Sequence, residues 1–161
     1  MWTQSGLDGS VWTTGLSMKF YFPDINVWLA AAWRGHQHHP SASAWFASTS
    51  DGKIGFCHVT QLGFLRLLSH PVIMRDEIMT PAGAWNAFDQ FANDDRFTFY
   101  AEPDHEEFQN TFRRLTMTKH IAHRQWPDAY LKAFAIAGGL TLVTFDRGLK
   151  SLAGREAQLL R

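Results

Sequence analysis

From Met18 onward, short apolar runs alternate with helical patterns, and this alternation restricts the fold more than any other feature of the chain. Residues 19–22 form an aromatic strand pattern stopped by Pro23, and 26–33 and 40–48 read as short helices. Residues 53–57 read as a buried strand. Leu62, Leu65 and Leu68 mark a helix over 60–68, ended by His70-Pro71. Thr80-Pro81 opens another helix, with Thr80 as cap and proline in the first turn. Then come a strand at 96–100 and a helix over 104–115 with acids at its positive end. A helix over 128–137, closed by Gly138-Gly139, and a strand at 140–145 complete the pattern. Strands separated by helices need crossover connections. The expected fold class is therefore α/β, with a mostly parallel central sheet covered on both faces, which suits the near-continuous apolar strands.

The chain has 161 residues, 45% of them hydrophobic and 19% charged, enough for the core of one domain spanning 18–161. Residues 1–17 are rich in Gly, Ser and Thr, lack periodicity, and read as a flexible N-terminal leader. Fifteen basic residues balance fifteen acidic ones. Bulk positive charge is thereby excluded as the means of holding nucleic acid or membrane, although a local basic patch is not. No apolar run approaches the roughly 20 residues of a membrane span, and the start lacks the basic-then-apolar order of a secretory signal. Cys57 is the single cysteine, which excludes an internal disulfide or a cysteine-based zinc site and suits a cytoplasmic location. In its apolar strand it reads as a small core residue.

In open parallel sheets, ligands sit beyond the carboxyl ends of the strands. Three aspartates are expected there. Asp24 follows the first strand, Asp146 follows the last, and Asp128 begins the helix between them. Each has a structural explanation of its own: an Asx-turn after Pro23, a charge at a helix start, and an Asp-Arg-Gly turn. Together they suggest one crevice. Two carboxylates about 4 Å apart repel by roughly 4 kcal/mol at an effective dielectric near 20. A hard divalent cation removes that cost, polarises a phosphoryl oxygen and acidifies a bound water. The reaction class suggested is phosphodiester hydrolysis.

The segments Pro23-Asp24-Ile25-Asn26-Val27-Trp28-Leu29, Thr60 to Ser69, Pro127-Asp128-Ala129-Tyr130-Leu131 and Thr144-Phe145-Asp146-Arg147-Gly148-Leu149 occur in this order over nearly the whole domain. In these the chain resembles PIN-domain ribonucleases of the VapC toxin type, from bacterial toxin–antitoxin pairs. The resemblance implies a three-layer α/β/α sandwich and endonucleolytic cleavage of RNA dependent on Mg²⁺, with Mn²⁺ as a substitute. It implies Asp24, Asp128 and Asp146 as the catalytic, metal-binding acids, with Asn26 and Thr144 supporting them. It further implies a homodimer inhibited by a cognate antitoxin protein. One position departs from the family: Gln61 stands where a fourth acid, a Glu, is often found. A neutral amide can orient a water but adds no charge. A weaker site, a single metal and lost activity all remain open, and a module that binds RNA or antitoxin without efficient cleavage is the alternative.

Acids repel RNA, so basic residues must frame the crevice. Arg147 adjoins Asp146, and Arg113, Arg114, Lys119 and Arg124 form the densest basic run. Phe64, Trp85, Phe88 and Phe91 sit at helical spacing and are expected in the core. Trp28 and Trp33 are expected on an antitoxin or dimer surface. The histidines of residues 34–40 read as a polar connecting loop rather than a zinc site.

Overall fold

The computed structural model describes residues 18–119, 123 and 125–161. The proposed leader at 1–17 and Arg124 lie outside the described residues. Five strands form one parallel sheet: β1 (Phe20–Pro23), β2 (Lys53–Phe56), β3 (Phe97–Phe99), β4 (Thr141–Thr144) and β5 (Ala157–Leu159), in the order β3-β2-β1-β4-β5. β1 is central. It aligns Tyr21 with Ile54 of β2 on one side, and Phe22 with Leu142 of β4 on the other.

Pleat alternation divides the core between the two faces. Tyr21, Ile54, Phe56 and Val143 point to one face, which is covered by α1 (Ile25–Ala32), α2 (His39–Ser48), α3 (His58–Leu68) and α5 (Pro81–Ala92), with the short α4 (Pro71–Met74) beside them. Phe22 and Leu142 point to the other, beneath α6 (His105–Thr116), α7 (Gln125–Ala137) and α8 (Arg147–Ala153). The result is a sheet covered on both faces, the three-layer α/β/α sandwich that the family resemblance implies.

The first face is aromatic. Trp28 stacks on Phe56 with centroids 3.8 Å apart and also meets Phe46 and Phe91. Trp28 is therefore a core residue, contrary to its expected place on a partner surface: α1 lies between the sheet and α2 and α3, so Val27, Trp28, Leu29 and Ala30 are all buried. Trp33, at the end of α1, is half-buried. Phe64 and Phe88 are buried as expected and Phe91 partly so, whereas Trp85 is 47% exposed. Ala84 takes the inward position on α5, and the next residue, about 100° further round the helix, faces outward. Cys57 is buried at the end of β2. Thr80 caps α5 as expected, accepting the Gly83 N–H at 3.1 Å.

Candidate active site

The strand order reverses between β1 and β4, so the carboxyl ends of these neighbours open the crevice where ligands of such sheets bind. Asp24 follows β1 and Asp146 lies just beyond β4, and both are helix N-caps. The Asp24 carboxylate accepts the Val27 N–H at 2.9 Å and the Asp146 carboxylate accepts the Leu149 N–H at 3.0 Å. Each aspartate therefore has a local structural role, as a helix cap rather than the turn its sequence suggests, and the cap fixes each carboxylate at the sheet edge while using only one oxygen.

Thr144 joins the two junctions. Its side chain is fully buried. The hydroxyl donates to the second oxygen of Asp24 and accepts the Asp146 N–H at 2.9 Å. Asp24 is 4% exposed. Burial pushes its pKa up to about 6, against hydrogen bonds from Thr144, Val27 and Asn26 that pull it down, and the charge of Asp146 pushes it further up. Asp128, in the first turn of α7, is half-buried; burial and then the charge of Asp146 raise its pKa also.

Asp146 is therefore electrostatically coupled to both other aspartates. Neither ion pair among the described residues, Lys19–Asp51 and Asp94–Arg96, involves any of the three. The acids form two pairs sharing Asp146 rather than a closed cluster. Among the described residues, no three His, Cys, Asp or Glu side chains gather closely enough to hold a metal ion. Their donor atoms are all oxygen, Asp146 repels each of the other two, and no ion pair among the described residues neutralises them, which is chemistry that suits a hard divalent ion.

The remaining expected residues are less tightly gathered. Asn26 is exposed in the first turn of α1, and Gln61 is half-buried on α3. Arg147 is exposed at the start of α8, beside Asp146. Arg113 and Arg114 are exposed in the last turn of α6, and Lys119 lies just beyond it. That helix end is tied to the start of α7 by the Gln125 side-chain amide, which donates to the Thr116 carbonyl at 3.3 Å. The sequence reading missed one neighbour of the site: His38 stacks on Phe145, between Thr144 and Asp146, with centroids 4.4 Å apart and planes 16° apart. No local signal marks this contact, because it joins residues more than a hundred positions apart.

A parallel sheet with acids at the β1–β4 switch defines the class, and comparison with known proteins agrees. The PIN domain family matches residues 21–155. The chain belongs to this family. Its similarity runs to the VapC members: it is 39% identical to ribonuclease VapC41 of Mycobacterium tuberculosis over 142 residues, covering 85% of this chain and 96% of that protein. It is 29% identical to ribonuclease VapC39 of the same organism, covering 81% of this chain and 91% of that one. Among solved structures, VapBC2 of Rickettsia felis, bound to a promoter DNA fragment, superposes with a TM-score of 0.64 at 14% identity, over 88% of this chain and 99% of its own. VapC20 of M. tuberculosis, a toxin that cleaves the sarcin-ricin loop, gives 0.61 at 15% identity, over 84% and 97%. At such identities these two structures speak for the fold alone.

Proposed function

We propose that this protein is a divalent-metal-dependent endoribonuclease, the toxin of a VapBC-type pair, and that Asp24, Asp128 and Asp146 are its metal-binding acids. The observation that carries the reading is Asp24: a buried carboxylate with no cation paired to it among the described residues, linked through Thr144 to the Asp146 junction at the switch point. The named activity of the VapC relatives supports it.

Asp24 and Asp146 each hold one oxygen on a helix N-terminus, so their orientations are set before any ligand arrives. Thr144 keeps the two junctions in register. A bound Mg²⁺ or Mn²⁺ would polarise the scissile phosphate and acidify the attacking water. Asp128 adds a third carboxylate from α7, while Gln61 contributes no charge. One well-held ion is therefore expected, and two tight sites in a calorimetric titration would overturn that count. Arg147, Arg113, Arg114 and Lys119 supply phosphate contacts.

The exposed Leu62 of α3, Val72 of α4 and Trp85 of α5 offer apolar surface to a second copy or to an antitoxin. No helix among the described residues is long and apolar enough to cross a membrane; the single cysteine, Cys57, suits the reducing cytoplasm in which we place the activity.

The test incubates purified protein with structured RNAs and Mg²⁺, Mn²⁺ or EDTA, beside Asp24→Asn and Asp146→Asn. Cleavage that ignores both the metal and these substitutions would refute the reading. RNA or antitoxin binding without cleavage would favour a non-catalytic module, the role that Gln61 leaves open.

A further inference from the structure

Among the exposed apolar side chains, Trp126 differs from those of α3–α5 in its setting. It lies in the first turn of α7, two residues before Asp128, and is 52% exposed. Its ring is not loose: it meets Phe112 of α6 at 6.0 Å and 62°, and Phe112 in turn meets Tyr130. The start of α7 is also clamped to the end of α6 through Gln125 and Thr116. A half-open indole is thus held in place at a helix start that also carries a site carboxylate.

The end of α6 to which this helix start is tied is basic. Arg113 and Arg114 close α6, Lys119 follows, and all three are exposed and outside both ion pairs. Met117, between Arg114 and Lys119, is exposed as well, so the apolar surface at this helix end is two separate side chains set among three cations that join neither ion pair of the described residues, a poor match for an apolar protein partner. A single-stranded polyanion with flat bases matches both features: its phosphates meet the cations, and one unstacked base lies on the indole.

We propose that Trp126 is a base-stacking subsite, holding an unpaired nucleotide of the RNA next to the cleavage site while Arg113, Arg114 and Lys119 hold the flanking phosphates. The proposal rests on the ribonuclease reading above and adds where the substrate strand runs, across the α6–α7 end toward Asp128. Two residues apart on a helix, Trp126 and Asp128 are about 200° apart around its axis, so the stacked base belongs to a nucleotide beyond the scissile phosphate and not to the one being cut.

The test uses the full chain carrying Asp24→Asn, so that RNA is bound and not cut. Affinity is measured at low salt for a short labelled oligoadenylate and for an abasic ribose-phosphate strand of equal length. Expected are preference for the base-bearing strand, about tenfold weaker binding of it in Trp126→Ala, and an unchanged affinity for the abasic strand. Trp126→Phe should restore most of the preference, and Trp126→Leu, which keeps apolar bulk without a comparable π-face, should not. Equal binding of both strands by all variants overturns the subsite, as does a Trp126→Ala effect confined to self-association or antitoxin binding. The ribonuclease reading stands in those cases if the unsubstituted chain still cleaves RNA with metal. No metal-dependent cleavage by that chain removes both.

Discussion

The β1–α1 and β4–α8 junctions are built alike and behave differently. In each, an aspartate beyond a central strand caps the following helix, accepting the N–H three residues on at 2.9 or 3.0 Å. Asp24 is buried, and its pKa is pushed up to about 6. Asp146 is exposed at the rim. The same local motif is stabilising where water reaches the second oxygen and costly where it does not. The expense at Asp24 makes little sense for a cap alone, since Asn or Ser would serve the helix as well without charge. It makes sense for a carboxylate kept to meet a cation.

The largest expected effect tests whether the junctions are equal partners in chemistry. Asp24→Asn and Asp146→Asn should each lower kcat by about a hundredfold or more, roughly 3 kcal/mol of barrier. A variant that retains near-normal kcat in the cleavage assay would remove its residue from the acid set.

Stability should then separate what activity unites. In EDTA, the folded-state pKa of Asp24, about 6, lies above its ordinary value of 3.8. The native state thus holds this proton more tightly than the unfolded chain does, and stability falls as pH rises between about 4 and 6, by about 3 kcal/mol from this one group. Asp24→Asn should remove that slope and stabilise the protein at pH 7 by about 2 kcal/mol, whereas Asp146→Asn should change little. Urea unfolding across pH measures both, and a slope that survives Asp24→Asn would show that another group causes it.

Thr144→Val attacks the link between the junctions. It strips Asp24 of a buried donor and leaves the Asp146 N–H without its acceptor, which should cost about 2 kcal/mol, with Thr144→Ser nearly neutral. A shift in urea midpoint at unchanged m-value is the readout. The smallest effect concerns the metal. Saturating Mg²⁺ should raise stability by about 1–2 kcal/mol at pH 7 and less at pH 5, where Asp24 is protonated in the native state. A thermal shift independent of pH would mean that the ion binds elsewhere.

Much of the fold was legible because its strands are apolar runs and its helices carry strong stops. β5 was not: it has three residues, one of them the exposed Gln158, and its pairing with β4 rather than its composition makes it a strand. α8 was hidden because Asp-Arg-Gly reads as a turn, although Asp146 is the cap of a seven-residue helix. Trp28 and Trp85 exchanged their expected places because a tryptophan's burial depends on which elements flank its helix, and periodicity alone does not give that. The aspartates were legible as strand-end polar groups. Their unequal burial was not, since it follows from how α1 is enclosed and α8 is not.

The bond between Thr144 and Asp24 spans 120 positions, and Pro23 aligns with Val143 across the same boundary. During translation, the first aspartate leaves the ribosome long before its partner strand exists. A first strand whose neighbours are β2 and β4 cannot be completed on its second side until residues 141–144 have emerged. Nascent fragments that stop short of β4 therefore carry Asp24 and Asp128 without the strand and the Asp146 that join them, and assembly of the acidic crevice is among the last events in the making of the molecule.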